Sequence, residues 1–203
     1  MGKLYIIRHG TTDANLAYRF QGQIDTDIND KGRAQAQEVA EHFKNIRLDA
    51  IYASPLKRAY HTAQPLAATH NLEIIKRPEL IEISFGDWEN KYFDEINDAS
   101  KQELDLFFAH PAQCNIPGGE TLAQVAKRVG PFFEELLCEI ENKDIAIVTH
   151  GGIIRVLLCL FLNMDLDNLW YFGVRNCSTT TIIKWRDYNR VLEYTNDIHY
   201  LTV

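Results

Sequence analysis

With 203 residues, 46% of them hydrophobic and 24% charged, the chain has the size and composition of one ordinary globular domain. A net charge of −7 excludes an undirected affinity for nucleic acid, so any anion must be met by a local cluster of positive groups. No apolar run approaches the roughly 18 residues of a membrane span, and no secretory pattern is visible, so a cytoplasmic protein is expected.

Strand-like and helix-like patterns then alternate. Residues 4–8 (LYIIR) read as a buried strand, and 31–43 (KGRAQAQEVAEHF) as a helix with Ala34, Val39 and Phe43 on its apolar face. Residues 49–54 (DAIYAS) form a second strand ended by Pro55. The helical pattern of 56–69 contains Pro65, which should kink it, and 72–77 is a third strand. Residues 82–98 carry Gly86 and several aromatics without a clean period and read as a long loop, followed by a helix near 101–108. After the turn cluster CNIPGGET, helix is expected from 121 to 140, kinked or split at Gly130-Pro131. A buried strand at 144–149 (DIAIVT), a helix at 152–162 and β segments at 179–185 and 191–194 complete the chain. The alternation predicts a three-layer α/β fold, a mostly parallel central sheet with helices on both faces. One domain over residues 1–203 is expected, with 82–120 a small excursion over the active site. Cys114, Cys138, Cys159 and Cys177 are widely spaced and read as small buried hydrophobes.

In open α/β sheets, ligands collect outside the carboxyl ends of the strands. Arg8, His9 and Gly10 follow the first strand there; Ser54 follows the second, with Arg58 early in the next helix. His150, Gly151 and Gly152 follow DIAIVT, and Glu82 lies beyond the third strand in LIEISFGDWE. Taken singly, a strand-end histidine is a cap and a first-turn arginine a surface charge. Together, two histidines, two arginines and a glutamate suit a pocket for a dianion. Arginine forks match phosphate, and the glycines permit close backbone approach. No metal-ligand spacing is present and no cofactor is implied; no G-x-G-x-x-G follows the first strand, which excludes a dinucleotide site. His42, His61, His70, His110 and His199 fall outside this set, with His110 a candidate substrate contact. Phe85, Trp88, Tyr92, Phe93, Phe107 and Phe108 either pack a small cap or line an apolar pocket.

The ordered set Arg8-His9-Gly10-Thr11 with Asn15, Gln21-Gly22 with Asp25, Gly32, SPLKRAYHTA, LIEISFGDWE, GGET and VTHGG resembles the histidine phosphatase superfamily in its phosphoglycerate-mutase-like branch. The resemblance implies that His9 is the nucleophile and forms a phosphohistidine. It places Arg8, Arg58 and His150 in the phosphate pocket and Glu82 as proton donor. Asn15, Gln21, Gly22 and Gly151 match substrate-contacting positions. The implied activity is a metal-independent phosphomonoesterase acting on a small molecule, either an α-ribazole 5′-phosphate phosphatase of cobalamin assembly or a broad-specificity sugar or nucleotide phosphatase.

Two alternatives are a cofactor-dependent phosphoglycerate mutase and a non-catalytic phosphate-binding module. Mutases of this kind are longer, with an inserted segment, and open RHGESxWN where this chain has RHGTTDAN. A non-catalytic module would lack His9 or Glu82. No nucleic-acid or membrane partner is implied, and a homo-oligomer is compatible with a sequence that marks no interface stripe. One departure stands out: Asn90 occupies a position where the family often has glycine, which puts the geometry of that loop in question.

Overall fold

The computed structural model describes residues 2–185 and 189–202. The chain runs β1 (Lys3–Arg8), α1 (Asp13–Leu16), α2 (Asp30–Phe43), β2 (Ala50–Ala53), α3 (Lys57–His70), β3 (Ile74–Lys76), α4 (Phe93–Ala109), α5 (Leu122–Glu139), β4 (Ile145–Thr149), α6 (Gly151–Phe161), β5 (Thr179–Trp185) and β6 (Asn189–Asp197), with short 3₁₀ turns between. Among the described residues the strands form one sheet in the order β3-β2-β4-β1-β5-β6. The first four are mutually parallel; β5 is antiparallel to β1, and β6 to β5. The expected α/β sandwich is therefore present.

Strand alternation builds two cores. Leu4, Ile6, Ile145, Ile147 and Ile182 face α5 and α6, while Tyr5, Ile7, Ala146, Val148 and Ile51 face α2 and α3. β4 is buried at every residue because it lies between two parallel neighbours with helices on both faces, hence its unbroken apolar run. A third cluster, Trp88, Ile96, Leu104, Phe107, Cys114 and Ile116, gives the 82–120 excursion its own small core.

Neither interior proline ends its helix: α3 continues through Pro65 and α5 through Pro131. An interior proline costs about 3 kcal/mol, but each buried Leu, Val or Phe returns about 1.5–3. In α5, Val125, Val129, Phe132, Phe133 and Leu136 are all buried, so packing wins. Gly130 also removes the Cβ that would crowd the proline ring. The loop expected over 82–98 is shorter than the sequence suggests, because α4 begins at Phe93. Glu95 reaches back to accept from the Tyr92 amide at 2.7 Å, a helix start without the usual Ser, Thr, Asp or Asn. Ser100, at φ −147° and ψ 47°, then interrupts the helix and its period. Cys114, Cys159 and Cys177 are buried, whereas Cys138 is exposed, contrary to expectation, on the outer side of α5. Among the described residues no helix is long and apolar enough to cross a membrane.

Candidate active site

β1 carries the chain into the site with its hydrogen-bond ladder still intact: the His9 amide donates to Thr149 O at 2.9 Å. The His9 ring is buried, and its Nδ1 lies 2.8 Å from Gly10 O. A carbonyl can only accept, so Nδ1 holds the ring proton and Nε2 keeps its lone pair. Burial, then the nearby Arg58 and Arg8 charges, hold the imidazole well below the usual histidine pKa. His9 is thus a neutral base with one defined free nitrogen.

Three arginines gather around the Glu82 carboxyl, and two of them, Arg8 and Arg58, act on His9 itself. Arg8 donates through NH1 to Val174 O at 2.6 Å, while its buried Nε has no partner among the described residues. Burial pushes its pKa down to about 10, which still leaves it charged at neutral pH. Arg58 is fully buried; NH1 donates to Ile24 O at 2.7 Å, NH2 to Gly22 O at 2.6 Å and Nε to His150 Nδ1 at 3.2 Å. Two of its five N–H bonds remain for a ligand. Arg155 is held by Phe172 O and Gly151 O. All three are lowered chiefly by burial and supported by the Glu82 charge. Three buried cations gathered around Glu82, with Asp25 and Glu89 also acting on Arg58, make a site suited to an anion.

His150 sits behind Arg58. Accepting at Nδ1, it carries its proton on Nε2, which donates to Ser54 Oγ at 2.7 Å. Both nitrogens are therefore occupied by the protein, and His150 fixes the guanidinium from the rear. Burial, then Arg58, keeps it neutral as well. Glu82 accepts from the Ile83 amide at 3.0 Å and the Gly152 amide at 3.3 Å. A Cβ on Gly152 would stand 2.6 Å from Glu82 Oε1, so only glycine lets the carboxylate lie against the start of α6. Gly151 is packed less tightly: a Cβ there would lie 3.2 Å from Arg155 NH1 and in ordinary contact, at 3.5 Å, with Arg8 Nε.

Arg8, His9, Asn15, Gln21, Gly22, Arg58 and Glu82 together line one cavity of about 510 Å³. His150 and Gly151 are not among those lining residues, and the His150 ring centroid lies 5.2 Å from that of His9. Gln21 Oε1 accepts from the Thr12 and Thr26 hydroxyls at 2.9 and 2.8 Å, leaving its NH2 to the cavity. Gly22 has φ +52° and lies against the Glu89 carboxylate, where a Cβ would come within 2.0 Å. The aromatics divide: Trp88 and Phe107 are cap core, while Phe85, Phe93 and Phe108 join Tyr18 and Phe20 around the cavity. His110 pairs instead with Asp167 at 3.5 Å, away from that lining. Among the described residues no group of three His, Cys, Asp or Glu side chains is gathered for a metal ion.

Residues 4–198 match the family described as the histidine phosphatase superfamily (branch 1). The chain belongs to that superfamily. Phosphoserine phosphatase 1 of Hydrogenobacter thermophilus is 36% identical over 182 residues, which span 90% of this chain and 86% of that protein. Adenosylcobalamin/alpha-ribazole phosphatase of Salmonella typhimurium is 28% identical, with 85% of each chain covered. A solved structure of a mutant phosphoserine phosphatase from Entamoeba histolytica, in complex with phosphoserine, superposes with a TM-score of 0.88 at 33% identity, covering 99% of this chain and 100% of that one. This histidine phosphatase is accordingly a phosphoric monoester hydrolase.

The Asn90 departure from the family pattern has a local explanation. Asn90 adopts φ +64°, the left-handed region where glycine is easiest and asparagine next. Its carbonyl and side-chain oxygen accept from Arg19 NH1 at 3.2 and 3.1 Å, so the loop keeps a turn that glycine would also make. Sequence reasoning missed Arg155, and it missed the brace behind Glu82. There Arg128 grips Glu120 through Nε and NH2 at 3.0 and 2.9 Å and donates through NH1 to Glu79 O and Ile81 O. Gln23 Nε2 donates to Glu82 O at 3.0 Å. Glu120 lies inside the recognisable GGET stretch, but nothing in the sequence pairs it with Arg128 and the 79–82 turn.

Proposed function

We propose that this enzyme is a phosphomonoesterase that works through a phosphohistidine on His9 Nε2. The observation that carries the reading is the His9 Nδ1 contact with Gly10 O, which leaves an unprotonated Nε2 beside the Arg8 and Arg58 charges. In the first step Glu82, which takes up a proton when the anionic ester binds beside it, gives that proton to the departing oxygen as the Nε2 lone pair attacks phosphorus in line and the ester P–O bond breaks. Arg8 and Arg58 meet the charge on the remaining phosphoryl oxygens. Water then attacks phosphorus, Glu82 takes its proton, the P–N bond breaks and its electron pair returns to His9. Inorganic phosphate leaves.

The collar of Phe85, Phe93, Phe108 and Tyr18 supports a leaving group with an apolar or aromatic body over a small charged one. The names of the relatives add phosphoserine and α-ribazole 5′-phosphate to the substrates to be compared. The test is turnover in EDTA of wild type and His9→Ala on those two esters, sugar phosphates, nucleotides and 3-phosphoglycerate. Phosphate release by wild type, lost at least about 10³-fold in His9→Ala, is expected. Activity surviving in His9→Ala refutes the intermediate. Interconversion of 2- and 3-phosphoglycerate without phosphate release makes the enzyme a mutase.

A further inference from the structure

The turn at 174–178, just before β5, wraps the backbone of the two residues that end β1. The Arg8 amide donates to Ser178 O at 3.1 Å, and the Cys177 amide donates to Arg8 O at 3.0 Å and His9 O at 3.3 Å. Cys177 holds φ +54°, a left-handed conformation on a non-glycine residue. That conformation is secured from the C-terminal end of the chain, where the Tyr200 hydroxyl donates to Cys177 O at 2.6 Å. Between these fixed points stands Asn176. Its side-chain NH2 has two protons, and both are used: Nδ2 donates to His9 O at 3.0 Å and to Asn15 Oδ1 at 3.1 Å.

We propose that Asn176 is a positioning residue of the phosphoryl pocket, acting on the substrate through Asn15. The inference rests on the proposed phosphatase reading, with Asn15 lining the same cavity as His9, Arg8 and Arg58. An asparagine amide has two orientations that differ in which end faces the cavity. Asn15 Oδ1 accepts from the Thr12 amide at 3.1 Å as well as from Asn176. Turning the Asn15 amide over would oppose its NH2 to both of those donors. Asn176 therefore keeps the Asn15 oxygen turned inward and its NH2 turned to the cavity, ready to donate to an anion. Without Asn176 one inward donor remains, and the reversed amide, presenting an oxygen to the phosphoryl group, is released.

A double-mutant cycle tests this, read in two ways. Turnover of the preferred ester gives kcat/KM, and calorimetric titration with inorganic phosphate gives affinity without needing catalysis. Asn176→Ala should lower kcat/KM about tenfold in the wild-type background and less than about twofold in Asn15→Ala. Phosphate affinity should fall in each single variant and no further in the double. Asn176→Asp, which replaces two donors by acceptors at nearly the same volume, should be worse than Asn176→Ala in both readouts. Equal losses in both backgrounds, or an aspartate variant that behaves like wild type, would overturn the proposal and leave Asn176 a packing residue. Retained activity in His9→Ala strikes at the phosphohistidine instead, and the phosphate titration stands apart from that result.

Discussion

His9 and His150 set the pH behaviour of single residues in this enzyme. Both imidazoles are held below the ordinary histidine value, mainly by burial and then by the neighbouring arginines. An unfolded chain protonates its histidines near pH 6.5. Below that pH the unfolded state takes up protons that the folded state refuses, so stability falls as pH falls; above it neither state binds them and the effect disappears. The slope should approach on the order of 1 kcal/mol per pH unit for each group. Urea midpoints are expected to be flat above pH 7 and to drop between pH 6.5 and 5, with a shallower drop in His9→Gln. Because Nε2 is already free, kcat/KM should show no acid limb near pH 6.5 assignable to His9. Gly152→Ala tests the seat of Glu82. With a Cβ 2.6 Å from both Glu82 Oε1 and Ile83 Cδ1, the carboxylate must shift, and kcat should fall about 10- to 100-fold with a smaller change in KM. At this scale the sequence was most readable where chemistry is local. Arg8-His9-Gly10 and His150-Gly151 are adjacent in the chain, so a strand-end rule finds them. Asn176 reaches the site through tertiary contacts that no spacing announces.

Among the elements, the loop around Asn90 offers the clearest test of conformation against chemistry. Asn90→Ala places a Cβ at φ +64° without an asparagine's local compensation and should cost about 1–2 kcal/mol in denaturant unfolding. Asn90→Gly should stay within a few tenths, since glycine relieves the backbone even as it loses the Arg19 contact. The helices and strands themselves were largely legible from period and composition. α4 was not, because its start uses Glu95 rather than a standard cap residue and Ser100 breaks its pattern midway. The prolines misled in the opposite sense: a local rule predicted disruption at Pro65 and Pro131, and buried side chains on either side outweighed it.

For the molecule as a whole, the layers followed from the alternation of elements, while the brace joining the excursion to the sheet did not. Arg128 is the clearest case, reaching from α5 to two other stretches of chain, Glu120 and the turn that carries Glu79 and Ile81. Arg128→Ala should lower both the thermal midpoint, by several degrees, and kcat, by about tenfold, because the turn that ends in Glu82 loses its support. Arg128→Lys should recover little, since an ammonium cannot make the two-pronged contact with Glu120.

The place of β1 in the sheet bears on how the enzyme is made. The strand that delivers Arg8 and His9 is synthesised well before its neighbours β4 and β5, which come after residue 144. Pairings so distant in sequence form late and raise the contact order, which slows folding. On the ribosome β1 must wait, apolar and unpaired, until β4 and β5 have emerged, and only then can the nucleophile and its arginines meet. Catalytic competence should therefore appear together with sheet closure, in one late event rather than in stages.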